Sequence, residues 1–469
     1  MKRMLTVLGV SALILVPGGW AVAAPGASQA AAVTPIRHVV VLYLENHSFD
    51  NVLGYWCDRH PGRCPDGGMP ASVTLSDGTV VTPGITSDKV PDLGHAVRGQ
   101  RAAINGGQMN GWQNVSGCGA STRYACISGY QPSQIPNETA LAQRFAISDH
   151  TFSMGNSPSW GGHLYVALSS LDGFWGDNPQ PATGAAAPAP GPGWGCDSSK
   201  VTTWTGPYGN NHRGIPSCIP DPALGLPNGG AFKPTPVPYV PTIFDRLGAA
   251  RLPWKIYGAT KPATWNNATA YNWSICPSLA DCLYTSQDRN LVPSSQFVPD
   301  AKAGRLPAYS IVVPGNGTEP DSQHNATSMT AGDNWIGQVA GAVMNGPQWT
   351  STALFITYDD CGCFYDQVRP GVNPDRTPQG PRTPLVIVSP YARPGYTDTT
   401  PTTFAGILAF TEHALGLAPL NANDRGAYDF SHAFNYAQAP LRPAHMVIRT
   451  LPPWARHMQM TPAMLDDPT

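Results

Sequence analysis

Two adjacent pairs of residues carry the donor types that hold hard cations. Glu45-Asn46 sits in "VVVLYLENHSFDNVLG" and Asp359-Asp360 in "FITYDDCGCFYDQ". Three carboxylates and an amide carbonyl form an all-oxygen set. Carboxylates drawn together repel unless a cation neutralises them, and oxygen donors suit a hard or borderline divalent ion. A strand-end acid can instead cap a helix, so the signal lies in having two such pairs. A third stretch, "SDHTFSMGNSPSWGGHLY" (148–165), sets Ser159 among small residues, with Gly161-Gly162 behind it. Such a turn exposes a hydroxyl and leaves backbone N–H groups for an anion; the plainer reading is a polar loop. As a nucleophile, Ser159 would stand outside the Gly-x-Ser-x-Gly elbow, because Ser157 and Gly161 occupy the flanking positions.

These residues need elements to bring them together. Four short β-branched runs read as strands buried on both faces: His38–Leu44, Tyr309–Val313, Ala353–Tyr358 and Pro384–Ser389. Helical spacing covers Asn334–Met344, with Gly332-Asp333 as its start and Asp333 as its cap. It also covers Thr403–Leu415, with Gly416 as its stop. Strands alternating with helices imply an α/β domain around a largely parallel sheet. In such sheets ligands gather at the carboxyl ends of the strands. Glu45, Asn46, Asp359 and Asp360 should therefore emerge at one edge.

The chain has 469 residues, 12% of them charged, and a net charge of −2. It lacks the basic footprint of a nucleic-acid binder. Lys2 and Arg3, the apolar Leu5–Val16 and the small residues Ala21-Val22-Ala23 form a secretory signal pattern over 1–23, too short for a membrane span. A mobile leader is expected over 24–33, and an exported protein thereafter. The ten cysteines fit an oxidising compartment. Local pairing is the simplest scheme: Cys57/Cys64, Cys118/Cys126, Cys196/Cys218 and Cys276/Cys282. Cys361 and Cys363, one residue apart, would make a strained bridge and should pair elsewhere or stay reduced. The Pro/Gly-rich stretch 173–285, with six tryptophans and four cysteines, reads as an irregular insertion over the site. The α/β core is then 34–172 and 286–469.

Three segments together, "LENHSFDNVLG", "FSMGNSPSWGGHLY" and "TYDDCGCFYDQVRPG", resemble the signatures of the bacterial phosphoesterase family that contains secreted phospholipases C and a related acid phosphatase. The resemblance is collinear over roughly 36–436. "LGHAVRGQRAAINGGQMNGW", "DSQHN", "GPRTPLVIVSPYARPG" and "DFSHAF" support it. It implies an alkaline-phosphatase-like α/β/α sandwich. It also implies one divalent ion (Ca, Mg, Mn or Zn) held by Glu45, Asn46, Asp359 and Asp360, with Ser159 as nucleophile and His95 and His324 as catalytic histidines. His163 is assigned to substrate binding. Two features depart from the family pattern. The chain has no adjacent His-His pair, and Cys361–Gln367 reads CGCFYDQ where the family has an acidic residue, Gly-Gly-Phe-Tyr-Asp-His.

The resemblance implies a phosphate ester substrate, including phospholipid, and a phosphoserine intermediate. Phospholipase C-like diester hydrolysis is the first expectation and acid-phosphatase-like monoester hydrolysis the second. An inactive binding protein of the same fold would have lost the serine or a carboxylate, and all are present. A sulfatase-type Cys/Ser-x-Pro-x-Arg context is absent around Ser159. His47 and Asp50 read as structural residues of the loop and helix start.

Overall fold

The computed structural model describes residues 34–184, 191–206, 209–225, 235–261, 271–315 and 321–458. The expected signal and leader segments, 1–33, lie outside them, as does Trp265. The described residues fall within one compact unit, Thr34–Thr469.

Its centre is an eight-stranded sheet. In chain order the strands are β1 (His38–Leu44), β2 (Ala146–Ser148), β3 (Trp254–Gly258), β4 (Leu291–Pro293), β5 (Tyr309–Val312), β6 (Thr352–Tyr358), β7 (Leu385–Val388) and β8 (Thr397–Asp398). The spatial order is β4-β3-β5-β1-β6-β7-β2-β8. β1 sits between β5 and β6 and is parallel to both. Val39 through Leu44 are fully buried, as a β-branched run covered on two faces must be. The fold is therefore α/β, and the sheet is largely parallel. Only β7 opposes its neighbours, β6 and β2. The chain returns from β6 to β7 without an α-helix, and a parallel partner would need a crossover, usually helical.

The helices include α1 (Phe49–Arg59), α2 (Val97–Ile104), α3 (Pro136–Arg144), α4 (Ser159–Leu168), α5 (Ile243–Ala249), α6 (Met329–Met344) and α7 (Ala405–Leu415). α7 ends at Gly416 with φ 71°, the left-handed stop that glycine tolerates. α6 corrects the expected start. Ser328 caps it, its hydroxyl accepting from Ala331 N at 3.2 Å. Asp333 lies inside the helix and instead accepts from Asn137 N (3.1 Å) and Glu138 N (3.0 Å). Those N–H groups belong to the first turn of α3, which has no local side-chain cap. The acid caps a helix, but another one.

The 173–285 stretch holds more regular structure than its composition suggests. Gln180–Pro181, Lys200–Thr205 and Asn211–Pro216 form a separate antiparallel sheet. α5 and β3 follow, and β3 is hydrogen-bonded between β4 and β5 in the main sheet. This strand is short, flanked by Pro253 and carries Lys255, which pairs with Asp300 at 2.7 Å. These features hide it from an apolar-run reading.

All four local disulfides form, at Cys57–Cys64, Cys118–Cys126, Cys196–Cys218 and Cys276–Cys282. Cys361 and Cys363 are buried free thiols. Among the described residues, no helix is long and apolar enough to cross a membrane.

Candidate active site

The register of the central strands decides the site. Leu44 of β1 lies opposite Tyr358 of β6, and Asp359 N donates to Leu44 O at 3.0 Å. The two acidic pairs therefore leave the sheet side by side at its carboxyl edge. Asn46 N donates to Asp359 Oδ1 at 2.9 Å. Asn46 turns with φ 68°, a left-handed conformation that asparagine accepts better than most residues. Across from it, Gly362 has φ 56°, and a Cβ there would stand 2.1 Å from Asn46 O. Only glycine lets the two strand-end turns approach this closely. Asp360 Oδ1 accepts from Gly362 N at 2.6 Å, which folds the second turn back on itself.

Ser159 opens α4 rather than lying in a loop. Its Oγ donates to Glu45 Oε2 at 2.9 Å and lies 3.5 Å from Asn46 Oδ1. One helical turn later, His163 Nε2 meets the other Glu45 oxygen, Oε1, at 2.8 Å. Residues four apart share a helix face, so α4 grips both oxygens of one carboxylate. Gly162 makes the docking possible: its Cβ would fall 2.7 Å from Asp359 O. The structure thus gives His163 a contact with Glu45. The i, i+4 spacing from Ser159 was the sequence signal for it.

His324 and His95 close the other side, their ring centroids 5.9 Å apart. His324 Nδ1 lies 3.1 Å from Asn325 O, and His95 Nδ1 lies 3.0 Å from Leu93 O. A carbonyl only accepts, so Nδ1 carries the proton in both rings. His324 Nε2 stands 3.0 Å from the terminal amide of Asn46. Glu45, Asn46, Ser159, His163, Asp359 and Asp360 are fully buried, and the His95 ring with them.

The donor set fits a divalent ion. Glu45, His163 and Asp359 place one ligand-capable atom each within 4.8 Å of one another. The Asn46 terminal amide lies between the Asp359 and Asp360 carboxylates on one side and His324 Nε2 on the other, so its carbonyl is near enough to join the carboxylates as an oxygen donor to a cation. His163 enters this set beside the four residues expected from sequence.

His47 and Asp50 serve elsewhere. His47 bonds Asn51 Oδ1 (2.7 Å) and Gln323 O (3.0 Å) and stacks on Phe364. Burial pushes its pKa down to about 4. Asp50 and Asp366 flank Arg382, each with an oxygen 2.9 Å from the guanidinium. Arg382 was not anticipated. A buried arginine has no local pattern, since its partners stand 332 and 16 residues away.

The sequence model of the Phosphoesterase family matches residues 36–418. The chain belongs to the Phosphoesterase family. The chain is 25% identical over 399 residues to non-specific phospholipase C1 of Arabidopsis thaliana, covering 77% of this chain and 62% of that protein. It is 23% identical to non-hemolytic phospholipase C of Burkholderia pseudomallei, covering 84% of this chain and 57% of that one. Phospholipase C A of Mycobacterium tuberculosis is also 23% identical, with 90% and 82% covered. The chain spans less than two thirds of the length of the plant relatives. Among solved structures it is similar to an alkaline phosphatase superfamily protein of Vibrio parahaemolyticus, at 12% identity with 63% and 64% covered. The TM-score of 0.32 is too low to bear on the fold.

Proposed function

We propose that this member of the Phosphoesterase family is an exported, divalent-metal-dependent hydrolase of phosphate esters that works through a phosphoserine and cleaves phospholipid diesters as a phospholipase C does. The observation that carries the reading is Ser159 Oγ held 2.9 Å from Glu45 Oε2, at the strand edge where Asp359 and Asp360 also arrive. Family membership and the relatives' names as phospholipases C support the substrate class. The disulfides support export.

Glu45, Asn46, Asp359 and Asp360, with His163 at hand, would hold the ion. When bound, it lowers the pKa of the serine hydroxyl and offsets the charge of the phosphate. The Ser159 hydroxyl proton already points at Glu45 Oε2, and His163 keeps that carboxylate from rotating. Ser159 Oγ passes its proton to Glu45 Oε2 and forms a bond to phosphorus while the bond to the leaving oxygen breaks. His95, with Nδ1 fixed on Leu93 O, is placed to give a proton from Nε2 to the leaving alcohol when its ring enters the step doubly protonated. His324 orients the Asn46 amide. Water then cleaves the phosphoserine and restores the Ser159 hydroxyl.

Headgroup recognition by an open aromatic cage finds little support. Trp160, Trp194 and Trp273 are buried, and the Trp175 ring already carries the Arg101 guanidinium at 4.3 Å. The acid-phosphatase alternative differs only in the ester cleaved. The test is turnover of phosphatidylcholine, bis-p-nitrophenyl phosphate and p-nitrophenyl phosphate, with divalent ions or EDTA. Diesters should react faster than the monoester, EDTA should suppress all three, and Ser159→Ala should abolish turnover. Preference for the monoester would establish the phosphatase alternative. Wild-type rates in Ser159→Ala would end the phosphoserine reading.

A further inference from the structure

Helix starts leave backbone N–H groups without helical partners. The two helices beside the catalytic groups both begin without a local side-chain cap. α4, which starts at Ser159, follows Pro158. α2, which starts two residues after His95, follows Ala96. Neither proline nor alanine has a side-chain acceptor.

A single dipeptide supplies both caps. Asn178 Oδ1 accepts from Trp160 N at 2.8 Å, one residue beyond the nucleophile. Asp177 Oδ1 accepts from Val97 N at 2.9 Å, two residues beyond His95. The acceptors come from 18 and 80 residues away in sequence. Asn178 is only 3% exposed.

We propose that Asp177 and Asn178 are positioning residues of the reaction, one fixing the start of the helix behind His95 and the other the start of the Ser159 helix. The proposal rests on Ser159 acting as nucleophile and His95 as proton donor. Consecutive residues of one backbone cannot shift independently by much. The distance between nucleophile and proton donor is therefore set through one short brace. That matters because misplacement by about 1 Å can cost about a hundredfold in rate.

The same two residues line a cavity of about 450 Å³ together with Arg98, Trp175 and Arg213. A ligand-binding role would therefore be the competing explanation. The two roles separate kinetically. A positioning residue acts on kcat, whereas uniform binding acts on KM.

The experiment uses the full chain and bis-p-nitrophenyl phosphate. Asn178→Ala should lower kcat roughly ten- to hundredfold, leave KM within about twofold, and melt within a few degrees of wild type. Asn178→Asp, which keeps an oxygen acceptor, should recover most of the loss. Asp177→Ala should move the histidine limb of the kcat pH profile, and Asp177→Asn should return it. Should Asn178→Ala fail to fold, Asn178→Ser provides the same test, with an intermediate kcat expected at unchanged KM. The proposal is overturned if folded variants keep kcat within twofold, if the change falls on KM, or if the acceptor-retaining variants give no recovery. Failure of the phosphoesterase reading looks different: wild type itself would not turn over the substrate.

Discussion

Two buried carboxylate clusters lie within a few residues of each other in sequence and do opposite things. Asp50 and Asp366 close around Arg382, which also donates to Asp149 O at 2.9 Å. Burial works against the charge on Arg382, yet the two aspartates hold it firmly protonated. The second cluster, Glu45, Asp359 and Asp360, meets the Ser159 hydroxyl, the Asn46 backbone N–H and the His163 imidazole. In the proposed reaction these act as ligands and reactants rather than as a permanent counter-charge. The chain supplies the first cluster with its own cation, whereas under the proposed function the second would share an ion with a substrate. On that reading, acids so similar in sequence surroundings divide between architecture and chemistry.

The contrast can be broken at its chemical end first. Asp359→Asn should lower turnover about a thousandfold while the melting temperature holds or rises, because one buried negative charge is gone. Equal losses of activity and stability would place Asp359 with the structural acids. Arg382→Met should do the reverse. Removing one partner of a buried ion cluster typically costs about 3–5 kcal/mol. Denaturant titration should register that loss, with the molecules that remain folded still turning over substrate. A stable variant with abolished turnover would make Arg382 part of the site.

A smaller effect sharpens the comparison from behind the site. Glu138 accepts from the Tyr358 hydroxyl at 3.0 Å. Burial, with Asp333 nearby, pushes its pKa up to about 8. An acid whose folded pKa exceeds its unfolded value near 4.5 binds more protons when folded between those limits. Its contribution to stability is therefore present below about pH 4.5 and lost as pH rises towards 8. Glu138→Gln keeps the acceptor and removes the ionisation. The variant should gain on wild type by a few kcal/mol at most between about pH 5 and about pH 8. A constant difference across that range would show that Glu138 is ionised in the folded protein.

The chemical residues were legible because strand-end acids follow apolar runs that are easy to see. Glu45-Asn46 and Asp359-Asp360 each close such a run, and parallel pairing brings them together. Asp333 was legible as a cap but not as the cap of α3, since nothing in its neighbourhood names Asn137. β3 was hidden by Lys255 and by the proline before it. Arg382, Asp177 and Asn178 were illegible for a shared reason. Each acts on backbone or charge far along the chain, and local spacing holds no trace of its partner.

The sequence by itself determined the α/β class, the four local disulfides, the acidic pairs and the serine-bearing segment. These depend on hydrophobic runs, short loops and residue chemistry, all local properties. Tertiary structure alone decided which acids receive Arg382 and which face Ser159. It also decided that His163 holds Glu45, and that one dipeptide caps two helices. Those outcomes depend on strand register and on how closely Gly162 and Gly362 let backbones approach, and distances of that kind arise only when the whole chain packs.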